Sequence, residues 1–91
     1  MREKVFKAVS DPVRRKILEM LAVRNMSAGD IASKFDISAP SVSRHLSVLK
    51  AAGLIYAERS GQNIIYILNP APLNDILYWV YDNFGNLWMN K

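Results

Sequence analysis

The sequence contains no cysteine and has a single histidine, His45. Without thiols the chain can form no disulfide, thiolate metal site or thiol redox switch. One histidine and scattered carboxylates are too few ligands for a closed tetrahedral metal site. We therefore expect no metal and no other cofactor. The absence of cysteine also fits a reducing cytoplasm.

Long apolar runs are missing as well. The N-terminal segment, MREKVFKAV, lacks the apolar core of a signal peptide, and no stretch approaches the roughly 20 apolar residues that span a bilayer. A chain of 91 residues with 51% hydrophobic and 22% charged residues is expected to be one cytoplasmic domain, residues 1–91. So short a chain buries only about 60–70% of its unfolded surface, so a partner is expected to cover the remaining apolar surface.

Acidic residues are outnumbered by basic residues in the first two thirds of the chain, and charge of either sign is scarce in the last third. Residues 1–60 hold eleven Lys or Arg against six Asp or Glu, a balance of +5. Residues 61–91 hold one Lys against two Asp, a balance of −1. Clustered Lys and Arg favour polyanions, so the basic part and the aromatic tail predict two different partners.

Helical spacing of apolar residues predicts four helices in the first part of the chain. They cover Glu3–Ala8, a segment from Asp11-Pro12 to about Asn25, a short segment from Ser27 to Asp36, and Ser38 to Gly53. The third helix is expected to stop at Asp36, a residue type that tolerates a left-handed backbone.

The pattern then changes to β-branched and aromatic residues. Leu54–Arg59 and Ile64–Leu68 predict a hairpin around the loop Ser60–Asn63, and a last helix begins at Asn69-Pro70 and runs past Trp88. The order α-α-α-α-β-β-α predicts a mainly α fold with a small β-hairpin, a winged helix-turn-helix.

The helix-turn-helix itself is predicted from two short helices joined by a tight turn. Its apolar positions are Ile31, Phe35, Ile37, Val42, Leu46 and Leu49. The start of the second helix carries small residues and Arg44, which suit entry into a major groove and bidentate contact with guanine. The predicted DNA-binding residues of this helix are Ser38, Ala39, Ser41, Val42, Ser43, Arg44 and His45.

Further DNA contacts are predicted at the hairpin and at two lysines. Arg59, Gln62 and Asn63 flank the glycine at the hairpin tip, and Lys34 and Lys50 are candidates for phosphate contacts. A solvated hairpin and lysines that serve solubility alone remain alternatives. For the motif as a whole, the alternatives are an ordinary amphipathic surface helix and a winged-helix module that binds protein and not DNA.

Catalysis is not expected. Ser41 and His45 share a helix face at positions i and i+4, but a triad also needs an orienting acid and an oxyanion site. No Asp or Glu lies between Asp36 and Glu58, although one could approach in space. The sequence also has no glycine-rich phosphate loop. We therefore predict that the chain is not an enzyme and has no small-molecule substrate.

The last helix is apolar around much of its circumference, since Tyr78, Trp79 and Tyr81 lie outside its main stripe. A helix of this kind must be covered on more than one side, and a second copy of the chain is the predicted cover. The alternatives are a small-molecule pocket built from Trp79, Phe84 and Trp88, and additional core within the monomer. The predicted dimerisation residues of the last helix are Leu73, Ile76, Leu77, Val80, Tyr81, Phe84 and Trp88.

Three segments resemble the ArsR family of winged-helix repressors over nearly the whole chain. They read FKAVSDPVRRKILEML, SAPSVSRHLSVLKAAGLI and ERSGQNIIYIL. The resemblance implies a homodimer on double-stranded DNA at an inverted-repeat operator, with Ser38 to His45 as the reading segment. It also implies dimerisation through the first and last helices, which adds Val5, Phe6 and Val9 to the dimerisation residues.

The chain departs from the metal-sensing members of that family. Those members carry a cysteine pair in the first helix of the motif, or Asp and His ligands on the last helix. Here the corresponding segment is Met26–Asp30, and the last helix has no histidine. The chain is therefore most similar to the metal-free autorepressor branch, in which a membrane protein is expected to sequester the repressor.

Overall fold

The computed structural model describes residues 2–89, which form six helices and three strands. The elements are α1 (Arg2–Val9), α2 (Pro12–Val23), β1 (Met26–Ser27), α3 (Ala28–Ala32), α4 (Ala39–Ala51), β2 (Ile55–Ser60), β3 (Asn63–Leu68), α5 (Ala71–Phe84) and α6 (Asn86–Met89). The predicted mainly α fold with a hairpin, a winged helix-turn-helix, is confirmed.

The core is built by the first four helices and the start of the hairpin. The largest fully buried side chains are Ile17, Ile31, Leu49, Leu54, Val5 and Val42. Helix α5 contributes no buried residue and packs Leu73 and Ile76 against the edge of this core. The last part of the chain is therefore attached to the core on one side only.

Local signals position α2 and α4 as predicted. Asp11 caps α2, because its Oδ2 accepts hydrogen bonds from the amides of Val13 at 2.8 Å and Arg14 at 3.1 Å. Helix α4 ends in a Schellman motif: Gly53 has a φ of 76°, and the amide of Leu54 donates to the Leu49 carbonyl at 3.0 Å. A left-handed residue at this point turns the chain directly into β2.

The sheet contains one strand that the sequence did not predict. β1 pairs antiparallel with β3, with Met26 opposite Tyr66 and Ser27 opposite Ile65, so the strand order is β1-β3-β2. Two residues are too short to show the alternating pattern of a strand. The hairpin loop is also shorter than predicted, since Ser60 pairs with Asn63 and leaves a two-residue loop.

The third helix differs from the prediction at its end. α3 stops at Ala32, and the amides of Lys34 and Phe35 bond to the carbonyls three residues back, at 3.1 Å and 3.2 Å. This tighter turning lets Phe35 still pack against the core. Asp36 does not adopt the left-handed conformation that its residue type tolerates, because within residues 2–89 positive φ values occur at Gly53 and Gly61 alone.

The last helix is divided in two, where the sequence predicted a single helix from Asn69-Pro70 past Trp88. Helix α5 ends at Phe84, and Gly85 separates it from the one-turn α6. A Cβ atom at position 85 would collide with the carbonyl of Tyr81. Glycine also has the lowest helix propensity apart from proline, so it favours the break.

Candidate nucleic-acid interface

Helix α4 presents a polar N-terminal face opposite its buried stripe. Its N-cap is Ser38, whose Oγ accepts the amide of Ser41 at 3.3 Å and donates to the Ser41 hydroxyl at 3.0 Å. Ala39, Ser43 and Arg44 are exposed. The first turn of α4 contains no acidic residue, so no carboxylate within that turn competes for the backbone amides and positive dipole end of the helix.

Val42 does not belong to this face, and its assignment to DNA contact was wrong. Its side chain is 2% exposed and packs in the core with Leu46 and Leu49. Position 42 falls on the apolar stripe of α4, since it precedes Leu46 by four residues and Leu49 by seven. Its side chain holds α4 against the rest of the domain.

His45 lies at the border between the polar face and the core. Its side chain is 19% exposed, and its Nδ1 lies 3.2 Å from Arg14 Nη1. Arg14, in the first turn of α2, is half-buried between α1 and α4. Arg14 Nε donates to the Ala8 carbonyl at 2.7 Å, and Nη2 donates to the Lys7 carbonyl at 3.1 Å.

Arg14 is the residue that the sequence analysis missed at this site. The signal available was the short link Ser10-Asp11 between α1 and α2, which brings the first turn of α2 beside the last carbonyls of α1. Arg15 is also close to the end of α1, and its Nη1 donates to the Val9 carbonyl at 2.8 Å. The two arginines thus donate to carbonyls in the last turn of α1, where the helix supplies few amide partners.

Asp11 contributes a negative charge beside Arg14 and His45. Its Oδ2 lies 3.9 Å from His45 Nδ1. The pKa of Asp11 is lowered from its ordinary value of 3.8, mainly because the carboxylate accepts the Arg14 amide, with smaller contributions from His45 and the Val13 amide. Partial desolvation of the carboxyl opposes this lowering. The cap of α2 is therefore an ionised carboxylate at neutral pH.

The hairpin places its three predicted residues at the tip. Arg59 and Asn63 lie on β2 and β3, Gln62 lies in the two-residue loop, and all three are exposed. Arg59 pairs across the strands with Ile64. Lys34, in the turn before α4, and Lys50, in the last turn of α4, are also exposed. DNA contact at these five positions stays a prediction.

The residues predicted for dimerisation differ in their exposure to solvent. Leu73, Ile76, Val80 and Val9 are half-buried, and Val5 is 1% exposed in α1, so its assignment to a partner contact was wrong. The exposed group consists of Phe6, Leu77, Tyr81, Phe84 and Trp88, to which the structure adds Tyr78 and Leu87.

Trp79 packs within this end of the molecule. Its ring meets Phe6 and Phe84 edge to face, with centroids 5.7 Å and 5.6 Å away. The rings of Phe6, Trp79 and Phe84 therefore pack against one another at this end of the molecule. On the outer side of α5, Asn74, Leu77, Tyr78 and Tyr81 line an open groove of about 500 Å³.

Within residues 2–89, no three histidine, aspartate or glutamate side chains lie close enough together to hold a metal ion. In the same part of the chain, none of the helices has the length and hydropathy needed to cross a membrane.

Comparisons with known proteins agree with this architecture. The transcriptional repressor SdpR of Bacillus subtilis is 54% identical over 82 residues, which is 90% of each chain. A crystal structure of an ArsR family transcriptional regulator superposes with a TM-score of 0.86 at 26% identity and covers 94% of this chain and 93% of its own. An ArsR-like transcriptional regulator from Rhodococcus sp. RHA1 gives 0.81 at 31% identity and covers 96% and 81%.

The family model of bacterial regulatory proteins of the arsR family matches residues 11–57, from the cap of α2 to the second strand. The resemblance inferred from the sequence is confirmed, and so is the expectation that the chain is not an enzyme, because the relatives are transcriptional regulators. The chain belongs to the ArsR family of bacterial regulatory proteins.

Proposed function

We propose that this chain is a sequence-specific transcriptional repressor that binds an inverted-repeat operator as a homodimer. The observation that carries the proposal is the exposed, carboxylate-free start of α4, where Ala39, Ser43 and Arg44 surround a helix N-terminus. Small side chains allow a helix to approach the bases, and an arginine can bond two acceptors of one guanine. The name of the Bacillus subtilis relative, a transcriptional repressor, supports the same activity.

In this mechanism, two copies of α4 enter successive major grooves. Arg44 reads a base, while Ser41 and Ser43 bond to base edges or phosphates. Arg59, Gln62 and Asn63 at the hairpin tip touch the backbone or minor groove, and Lys34 and Lys50 contact phosphates. The bound dimer blocks polymerase at a promoter, and by resemblance to the autorepressor branch we propose that this promoter is its own.

The homodimer is supported by the exposed apolar surface at the C-terminal end. Leu77, Tyr78 and Tyr81 are 66%, 69% and 54% exposed on α5, and Leu87 and Trp88 are 66% and 60% exposed on α6. The radius of gyration is 15.0 Å, against about 12 Å for a compact domain of this length. A second copy packed on α5 and α6 would cover this surface, and a two-fold dimer would place the reading helices about 34–36 Å apart.

We further propose that residues 1–91 form one domain with terminal dimerisation helices, that it acts in the cytoplasm, and that it responds to no metal. The sequence has neither the cysteines nor the histidines that such a response requires. By the same resemblance, a membrane protein that captures the repressor would release the operator. Zinc or a chelator should leave operator affinity unchanged. A change in affinity caused by a metal or small molecule would contradict this part of the proposal.

The direct test is fluorescence anisotropy of labelled DNA from upstream of the gene, with a scrambled duplex of equal length as control, over a salt series. Binding at least about a thousandfold tighter to the native duplex is expected for a specific repressor. The slope against salt concentration then counts the phosphates engaged. Absence of binding to both duplexes at low salt would reject DNA binding and favour a protein-interaction module.

A further inference from the structure

We propose that Arg14 is a positioning residue for DNA recognition. It fixes the imidazole of His45 so that Nε2 carries the proton and donates a hydrogen bond to DNA. This inference rests on the proposed function for its last step, the contact with DNA. Its first step, the fixed tautomer, concerns the free protein.

The guanidinium of Arg14 is held at one end by the backbone of α1. Nε donates to the Ala8 carbonyl at 2.7 Å, and Nη2 donates to the Lys7 carbonyl at 3.1 Å. These carbonyls belong to the last turn of α1, and the Lys7 carbonyl also accepts the amide and the hydroxyl of Ser10, at 3.3 Å and 2.6 Å. Because the guanidinium is planar and rigid, two fixed nitrogens also fix the third. The third, Nη1, lies 3.2 Å from His45 Nδ1 on α4.

The tautomer of His45 follows from this contact. Arginine can donate hydrogen bonds and cannot accept them, so Nδ1 must be the unprotonated acceptor. The proton of the neutral ring then resides on Nε2, since the partner of one ring nitrogen sets the state of the other. Asp11 is a second charged group near the ring. Its Oδ2 lies 3.9 Å from Nδ1, too far for a hydrogen bond that would favour a proton there.

The position of the ring suits a donor to DNA. His45 follows Arg44 directly and lies one turn after Ser41, so it borders the exposed polar face of α4. With 19% of its side chain exposed, the ring is mostly enclosed but still reachable. An N–H group at this border matches the acceptors that DNA offers, phosphate oxygens and the O6 and N7 atoms of guanine.

Arg14 also ties α4 to the part of the molecule proposed to dimerise. Its two carbonyl partners are on α1, and α1 packs on α5 through the edge-to-face contact of Phe6 and Trp79. The orientation of α4 relative to α1 and α5 therefore depends in part on the Arg14 contacts. In a dimer, that orientation decides how the two reading helices face successive grooves.

The tautomer can be read directly, because His45 is the only histidine. ¹⁵N NMR of the full chain labelled at histidine gives one pair of ring signals. At a pH where the ring is neutral, we expect a protonated Nε2 and an unprotonated Nδ1. Arg14→Lys should shift the pair toward a mixture, while Arg15→Lys should not. A wild-type ring protonated at Nδ1 would overturn the proposal.

The role in recognition is tested with the same pair of variants and the anisotropy assay. Arg14→Lys keeps the charge but cannot span three acceptors, so it should weaken binding to the native duplex by about tenfold with little effect on the scrambled one. Arg15→Lys is the matched control, since Arg15 contacts the Val9 carbonyl on α1 and not α4. Equal affinities of the two variants for the native duplex would overturn the positioning role.

His45→Asn separates the DNA contact from folding. The shorter amide can retain an acceptor near Nδ1 but has no donor at the position of Nε2. We expect thermal stability close to that of wild type and a loss of operator affinity similar to that of Arg14→Lys. Wild-type affinity in this variant would overturn the DNA contact of Nε2. Failure of the wild-type chain to bind the native duplex would instead reject the proposed function, while the tautomer result would stand.

Discussion

Arg44 is exposed on the polar face of α4. If it reads a base, Arg44→Ala should lower affinity for the operator by about 1–3 kcal/mol and barely change the salt slope. Anisotropy against native and scrambled duplexes measures both quantities. Lys16→Ala removes the same charge from an exposed site on α2 and is the control. An equal loss on both duplexes would show a phosphate contact.

Asp11 is a second residue whose role can be measured alone. It caps α2 through two backbone amides, so Asp11→Ala should lower the free energy of unfolding by about 1 kcal/mol. Asp11→Asn should cost less at neutral pH, since asparagine is also a good cap. Urea unfolding of both variants and wild type provides the comparison.

The pH dependence of that stability follows from the lowered pKa of Asp11. A carboxyl whose pKa is lower in the folded state stabilises it above its unfolded pKa, near 3.8, and this contribution is lost as the pH falls through the folded pKa. The advantage of wild type over Asp11→Asn should therefore shrink below about pH 4. An advantage that grows on acidification would contradict the ionised cap.

At the scale of elements, the end of α4 decides where the hairpin begins. Gly53 adopts a left-handed conformation, which costs other residues about 1–2 kcal/mol. Gly53→Ala should lower the free energy of unfolding by that amount, although a Cβ there would meet only Pro72 Cγ, at 3.8 Å. Gly29→Ala in α3 is the control, because helical propensity predicts equal or greater stability there. Similar losses in both variants would mean that backbone conformation is not the cause.

The bounds of the helices and strands also show which elements the sequence pattern could predict. The caps at Asp11 and Ser38 and the C-terminal Gly53 mark α2 and α4 to within a residue or two, because each signal is local. The sequence pattern did not predict β1, because this two-residue strand forms only by pairing with β3. It also predicted a longer α3, whose last part is replaced by turns. Gly85 is a local signal for the break between α5 and α6. The apolar residues at helical spacing on both sides of it nevertheless predicted one continuous helix.

At the scale of the whole molecule, the exposed groove on α5 carries the dimer prediction. Leu77→Glu with Tyr81→Glu places two charges on a surface that we expect a second copy to cover, and it should produce a monomer with an intact fold. Sedimentation velocity would measure the mass, and circular dichroism the fold. Val23→Glu is the control, since Val23 is 83% exposed on α2 and should remain in a dimer. A double variant that sediments like wild type would reject this surface as the interface.

The sequence by itself determined the winged helix-turn-helix, the polar start of α4 and the family, because these depend on residue spacing and on signals within a few residues of one another. Only the tertiary structure decided which side chains are available for contact. Val42 and Val5 are buried since their helices turn them toward a shared core, and Arg14 is drawn inward by carbonyls of another helix. Burial and such long-range contacts arise when distant segments pack together, and no local pattern records which segments will meet.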